Sequence, residues 1–308
     1  MDFSILINQI LVLFIIIFTG YIIRKKNIIN DEINKGFSRL LIQITMPALI
    51  IDSILSIKLS REIITNIGLT TIISILAYLL VIITSTIIAK RMKSSIDKKN
   101  VFKLLLVFGN VGYMGIPVVS SIFPSEAVVY TIIHNIIFNV FLWTYGIQIF
   151  SIDDEKRAIK WDKLINHGTI ALFIGFFLLI TKIQLGPIKG AVITVGQMTF
   201  PLSMLIIGGS LTNVKIINIL KDKILYYVIF LKLFIIPITA LFLIRQLPLP
   251  RMVADISIIM LAMPSGAISV IFAEKFDSDY KFASEGIFTT TLLSILSIPL
   301  FIWLIKII

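Results

Sequence analysis

The sequence predicts an all-α polytopic membrane protein, with ten transmembrane helices in a 5+5 inverted repeat and crossed, broken helices at spans 4 and 9. Three observations carry that expectation. The chain is 57% hydrophobic with only 15% charged residues, and its mean hydropathy is +1.01. Apolar stretches near the roughly 20 residues needed to cross a bilayer follow one another almost without interruption. A short polar pattern recurs half a chain apart, in two of those stretches.

Composition excludes several classes. A soluble chain of 308 residues needs more polar surface than this one offers. The net charge of +11 belongs to the loops of a membrane protein rather than to a nucleic-acid surface. There is no cysteine, so no disulfide, thiolate metal site or cysteine nucleophile can form. The first apolar stretch has no basic residue ahead of it and no small-residue cleavage site behind it, so it is expected to remain as a span.

The spans are expected at about 3–23, 37–57, 63–89, 101–123, 126–150, 164–181, 190–213, 223–244, 252–274 and 282–305. Backbone groups in lipid must pair within their own segment, which makes these runs helices. A barrel strand would alternate in and out over about ten residues, whereas these runs are apolar on all sides. Loop cations set the orientation. Arg24, Lys25, Lys26, Lys90, Arg91, Lys93, Lys156 and Arg157 share one face with a dozen others. The opposite face has only Lys58, Arg61, Lys182, Lys189, Arg245, Arg251 and Lys306. The richer face is expected to be cytoplasmic, which places both termini outside the cell membrane. Residues 1–150 form the first five-helix repeat and 164–308 the second. Between them, 151–163 reads as a short cytoplasmic linker carrying Asp153, Asp154, Glu155 and Asp162.

The repeat rests on Gln43-Ile-Thr45-Met-Pro47 in span 2 and Gln197-Met-Thr199-Phe-Pro201 in span 7, 154 residues later. The same shift places Gly112 of span 4 on Gly266 of span 9. Five spans separate the copies, so the second half enters the membrane upside down, as in many secondary transporters. Span 4 holds Gly109, Asn110, Gly112, Gly115 and Pro117 within nine residues, and span 9 holds Met263-Pro264-Ser265-Gly266 and Ser269. Glycine weakens a helix interior, and proline removes a donor and clashes with the preceding turn. One such helix is an ordinary kink or a close packing contact. Two at repeat-equivalent positions point to a binding site.

A broken helix exposes unpaired N–H groups and a partial positive charge where its second half starts, which suits a carboxylate. Asn110 can add an amide donor, and Ser265 and Ser269 hydroxyl donors. Gly112 and Gly266 are expected to let the two chains approach closely. Gln43, Thr45, Gln197 and Thr199 either line the cavity or hold bent helices, together with Pro47 and Pro201.

At these residues the chain resembles the auxin efflux carrier family of membrane transporters. Asn110 followed by Met114-Gly115-Ile116-Pro117 is similar to that family's first crossover signature. Met263-Pro264-Ser265-Gly266, followed by Phe272-Ala273-Glu274-Lys275-Phe276, is similar to the second. The similarity extends from Gly20-Tyr21 and Met46-Pro47 to the tenth span. It implies a fold similar to that of bile-acid symporters and some sodium/proton antiporters. It also implies a scaffold of spans 1, 2, 6 and 7, a transport domain of spans 3–5 and 8–10, and a homodimer formed through the scaffold. In that family the asparagine matching Asn110 helps hold a substrate carboxylate, and both crossover prolines matter, which implies such roles for Asn110, Pro117 and Pro264. Plant members carry a long loop between spans 5 and 6. The linker here is short, which departs from loop-based regulation.

Other polar residues within the spans are candidates for coupling. Asp52 in span 2 reads as a proton or sodium site, or as a structural acid paired with Lys232 of span 8. His134, with Asn135 and Asn139 in span 5, reads as a proton relay or as interhelical hydrogen bonding. Glu285 reads as a solvated or capping acid.

The expected function is therefore a carrier for a small organic anion such as a mono- or dicarboxylate or an auxin-like acid. A cation/proton antiporter or sodium-coupled symporter of the same fold is the alternative, but it would be expected to place acids at the breaks, and spans 4 and 9 have none there. An enzyme is not expected. The chain has two histidines, His134 and His167, and lacks a zinc-binding H-E-x-x-H and a G-x-S-x-G elbow. No cofactor or metal is expected.

Overall fold

Each apolar run folds into helix where it is described in the computed structural model, which covers residues 3–56, 60–150, 167–183, 185–210, 212 and 222–308. The expected linker 151–163 lies outside the described residues. Among the described residues, six helices are long and apolar enough to cross a membrane: Glu32–Leu55, Arg61–Arg91, Ser125–Gly146, Pro187–Gly209, Lys223–Arg245 and Tyr280–Ile307. Val111–Ile122 and Ile170–Thr181 are shorter apolar helices. The chain is thus an all-helical, multi-pass membrane protein.

In chain order the helices are α1 (Phe3–Lys25), α2 (Asp31–Leu40), α3 (Met46–Leu55), α4 (Arg61–Arg91), α5 (Ile96–Val107), α6 (Ile116–Ile122), α7 (Ser125–Phe141), α8 (His167–Thr181), α9 (Pro187–Gln197) and α10 (Thr199–Ser210). They continue as α11 (Lys223–Phe230), α12 (Ile236–Arg245), α13 (Arg251–Ala262), α14 (Ile268–Lys275) and α15 (Tyr280–Ile307). Wide π-helical turns at Leu41–Thr45, Val111–Gly115 and Leu231–Ile235 each lie just ahead of a proline: Pro47, Pro117 and Pro237. A proline ring clashes with the carbonyl four residues back, and in each case that carbonyl falls in the middle of the wide turn. There Met46 N–H bonds to Leu41 O and Ile236 N–H to Leu231 O, one residue further than in an α-helix. The helix therefore passes the proline without ending.

The chain divides into two compact units. The first comprises 1–68, 112–133 and 165–213. Small residues bring its helices together, as lipid-embedded helices require in the absence of a hydrophobic drive between them. A Cβ on Gly208 of α10 would lie 2.8 Å from Tyr21 N of α1, and one on Gly196 of α9 would lie 2.9 Å from Leu49 N of α3. The second unit comprises 69–111, 134–164 and 214–308. Its core gathers Val101, Phe102 and Leu105 of α5, Leu225 and Val228 of α11, and Phe282 of α15. Gly286 of α15 has Leu105 pressed against it, at 2.5 Å from where a Cβ would sit.

Candidate functional site

Two helices of the second unit break where their sequences break. α5 stops at Val107, and Phe108 turns extended at φ −99° and ψ 94°. α13 stops at Ala262, and Met263 adopts φ −62° and ψ 140°, the conformation that a following proline imposes. The two extended segments then cross antiparallel and satisfy each other. Asn110 N–H donates to Pro264 O at 2.7 Å, Gly266 N–H donates to Phe108 O at 2.8 Å, and Gly109 pairs with Ser265. Backbone that left a helix at membrane depth would otherwise strand its polar groups in an apolar interior.

The crossing is close because of glycine, but not at both expected positions. A Cβ on Gly266 would sit 2.9 Å from Gly109 O. A Cβ on Gly112 would meet nothing within 4 Å among the described residues. Gly109 is the close partner of Gly266, because the chain has already turned back into helix by Val111.

Side chains complete the site. Ser265 is fully buried; its Oγ donates to Leu105 O at 2.8 Å and its N–H to Thr290 Oγ1 at 3.2 Å. Ser269, in the first turn of α14, is also fully buried, and its Oγ has no hydrogen-bond partner among the described residues. Asn110 is 8% exposed. Its backbone is held by Pro264, and its side-chain amide makes no hydrogen bond among the described residues. Pro264 is buried in the crossing itself, and Pro117 is buried at the second position of α6. At the crossing the Ser265 hydroxyl is thus already engaged, whereas the Asn110 amide and the Ser269 hydroxyl have no hydrogen-bond partner among the described residues. Neither break contains a carboxylate.

The other candidates fall elsewhere. Gln43, Thr45 and Pro47, with Gln197, Thr199 and Pro201, lie in the first unit. Both glutamines are exposed and both threonines buried; Thr45 Oγ1 donates to Leu41 O at 3.4 Å, while Thr199 Oγ1 has no partner among the described residues. The two copies of the pattern therefore share an inward threonine and an outward glutamine. Asp52 also lies in the first unit, and the charge acting on it is that of Lys189. Lys232 is 2% exposed and donates to Leu106 O at 3.0 Å, with no carboxylate partner among the described residues. His134 is buried, with Nδ1 2.9 Å from Ser74 Oγ and its ring centre 5.3 Å from that of Tyr78. Asn139 donates to Asn135 O within its own helix.

Sequence reasoning did not find Thr290, and it placed Gly109 in the break of span 4 without singling it out as the partner of Gly266. The run Thr289-Thr290-Thr291, polar inside an apolar span, was the available signal for the first.

Fold and site together define a membrane transporter. A family described as membrane transport protein matches residues 5–302. The chain belongs to that family, the auxin efflux carrier family. It is also similar to an uncharacterized transporter of Methanocaldococcus jannaschii, 25% identical over 97% of this chain and 98% of the relative. A second uncharacterized transporter, of Methanothermobacter thermautotrophicus, is 25% identical over 95% of this chain and 96% of the relative.

Proposed function

We propose that this transporter carries a small organic anion, a mono- or dicarboxylate, bound at the crossing of the extended segments 108–110 and 263–267. The observation that carries this reading is the buried Ser269 Oγ at the start of α14, which has no hydrogen-bond partner among the described residues, with the Asn110 amide as a second donor at the crossing. A buried polar group without a partner costs free energy that a ligand can recover. A carboxylate accepts such hydrogen bonds, and the helices starting at Val111 and Ile268 turn their positive ends toward the crossing, although Val111, Ser269 and Val270 N–H already donate to Gly109, Gly266 and Ala267 O. A dehydrated cation would need acids at the break, and there are none.

Transport proceeds by alternating access, with residues 69–111, 134–164 and 214–308 moving as one body. Ten spans in an inverted repeat, a homodimer and a place in the cell membrane belong to the same proposal. A membrane potential is worth about 2.3 kcal/mol per charge at 100 mV, and it favours export of an anion from a negative interior.

Counterflow of labelled malonate and benzoate in proteoliposomes tests the reading, comparing the protein with its Asn110→Ala variant. Transport of a carboxylate that falls at least about tenfold in the variant, the loss of one charge-assisted hydrogen bond, is the expected result. Collapse of an imposed sodium or proton gradient without carboxylate movement would replace it with the antiporter reading.

A further inference from the structure

The crossing brings two kinds of helix end together. α5 and α13 finish there, and the helices beginning at Val111 and Ile268 start there. A helix carries about half a positive charge at its N-terminus and about half a negative charge at its C-terminus. Two ends of each sign cancel to first order, so the four backbone ends alone give the crossing no net preference for an anion over a cation. A full side-chain charge beside them decides the sign.

Lys232 is the side chain placed to carry that charge. It sits in the π-helical turn Leu231–Ile235, between α11 and α12, and is 2% exposed. Its Nζ donates to Leu106 O at 3.0 Å, in the last turn of α5. A Cβ built on Gly109 would lie 3.2 Å from that Nζ, so the ammonium rests against the residue that pairs with Ser265. A single carbonyl leaves two of its three N–H donors unused. Four acids of the same unit are engaged with other partners. Asp222 pairs with Lys98, Asp255 with Arg245 and Arg251, Asp279 caps α15 at Phe282 N, and Asp97 accepts from Ser278. Among the described residues, nothing supplies Lys232 with a negative charge.

A buried ammonium without a counter-ion is costly, and it persists where a partner repays it. We propose that Lys232 is the counter-charge for the transported anion. It is a positioning residue that neutralises the carbonyl end of α5, makes the crossing net positive, and so raises affinity for carboxylates. This rests on the reading of the crossing as an anion site. The rival account is a purely structural cap, in which the hydrogen bond to Leu106 O matters and the charge does not.

Concentration-dependent counterflow of malonate and benzoate separates the two accounts, using the intact protein and the variants Lys232→Arg, Lys232→Gln and Lys232→Met. Glutamine keeps an N–H donor without charge, and methionine fills the space with neither. Arginine is expected to hold KM within about threefold of the parent, because the charge is kept. Glutamine and methionine are expected to raise KM by about tenfold or more, the scale of one lost charge-assisted interaction, with a smaller change in maximal rate. A glutamine variant with unchanged KM would overturn the proposal and leave a structural cap. If only the methionine variant is recovered folded, an unchanged KM in it overturns the proposal equally. If the intact protein moves no carboxylate at all, the anion reading itself fails, and this inference with it.

Discussion

Gly266 shows how little room one residue has at the crossing. A methyl group there would press on Gly109 O at 2.9 Å and on Phe108 O at 3.2 Å, both of them backbone atoms that cannot rotate aside. The chains would have to part, breaking the bond from Gly266 N–H to Phe108 O. Overpacking of this kind costs about 1–3 kcal/mol, and the lost bond about 1 kcal/mol more. Gly266→Ala is therefore expected to lower the melting temperature of the detergent-solubilised protein and to abolish carboxylate counterflow. Gly112→Ala meets open space inside a helical turn and is expected to change stability by less than about 0.5 kcal/mol. Equal destabilisation by the two would contradict the assigned crossing point. The sequence showed that span 4 breaks, because Gly109, Gly112 and Gly115 crowd it. It could not show which glycine touches span 9, since that depends on where the helix resumes in three dimensions.

At the scale of elements, prolines were readable and wide turns were not. Pro47, Pro117 and Pro237 announce a disturbance, but whether a helix stops or widens depends on what its neighbours allow. Lys232 shows the cost of that gap. Its position in a π-helical turn, and its reach to a carbonyl 126 residues earlier, depend on packing between distant helices. From sequence alone, it is a snorkelling cation or a partner for Asp52. The start of α11 offers a test of local element stability. Asp222 caps it by accepting from Ile224 N–H at 3.0 Å and also pairs with Lys98, whose ammonium lies 4.7 Å from the Phe282 ring centre. One residue thus ties α11 to α5, and through Lys98 to α15. Asp222→Ala is expected to destabilise the protein by about 1–2 kcal/mol through loss of the cap, with a small addition from the partly exposed ion pair. Thermal unfolding followed by helical circular dichroism measures this, and an unchanged midpoint would deny the cap its weight.

For the whole molecule, membrane class and family were legible because composition and motif order survive without any knowledge of packing. The division into units was harder to see, because each is assembled from three separated pieces of chain and the boundaries cut through spans 3, 4 and 5. Orientation is still a deduction from loop charge, and the cysteine-free sequence makes it directly testable. Ser94 lies in the short connection between α4 and α5, among Lys90, Arg91, Lys93 and Lys98. Gln246 is exposed just after α12, on the opposite, cation-poor side. The excess of lysine and arginine in short loops holds its side of the membrane in the cytoplasm. Gln246→Cys is therefore expected to react with a membrane-impermeant maleimide in intact cells. Ser94→Cys is expected to react only after the cells are permeabilised. The reverse pattern would invert the topology and place the cation-rich loops outside, while the membrane potential would still drive an anion outward.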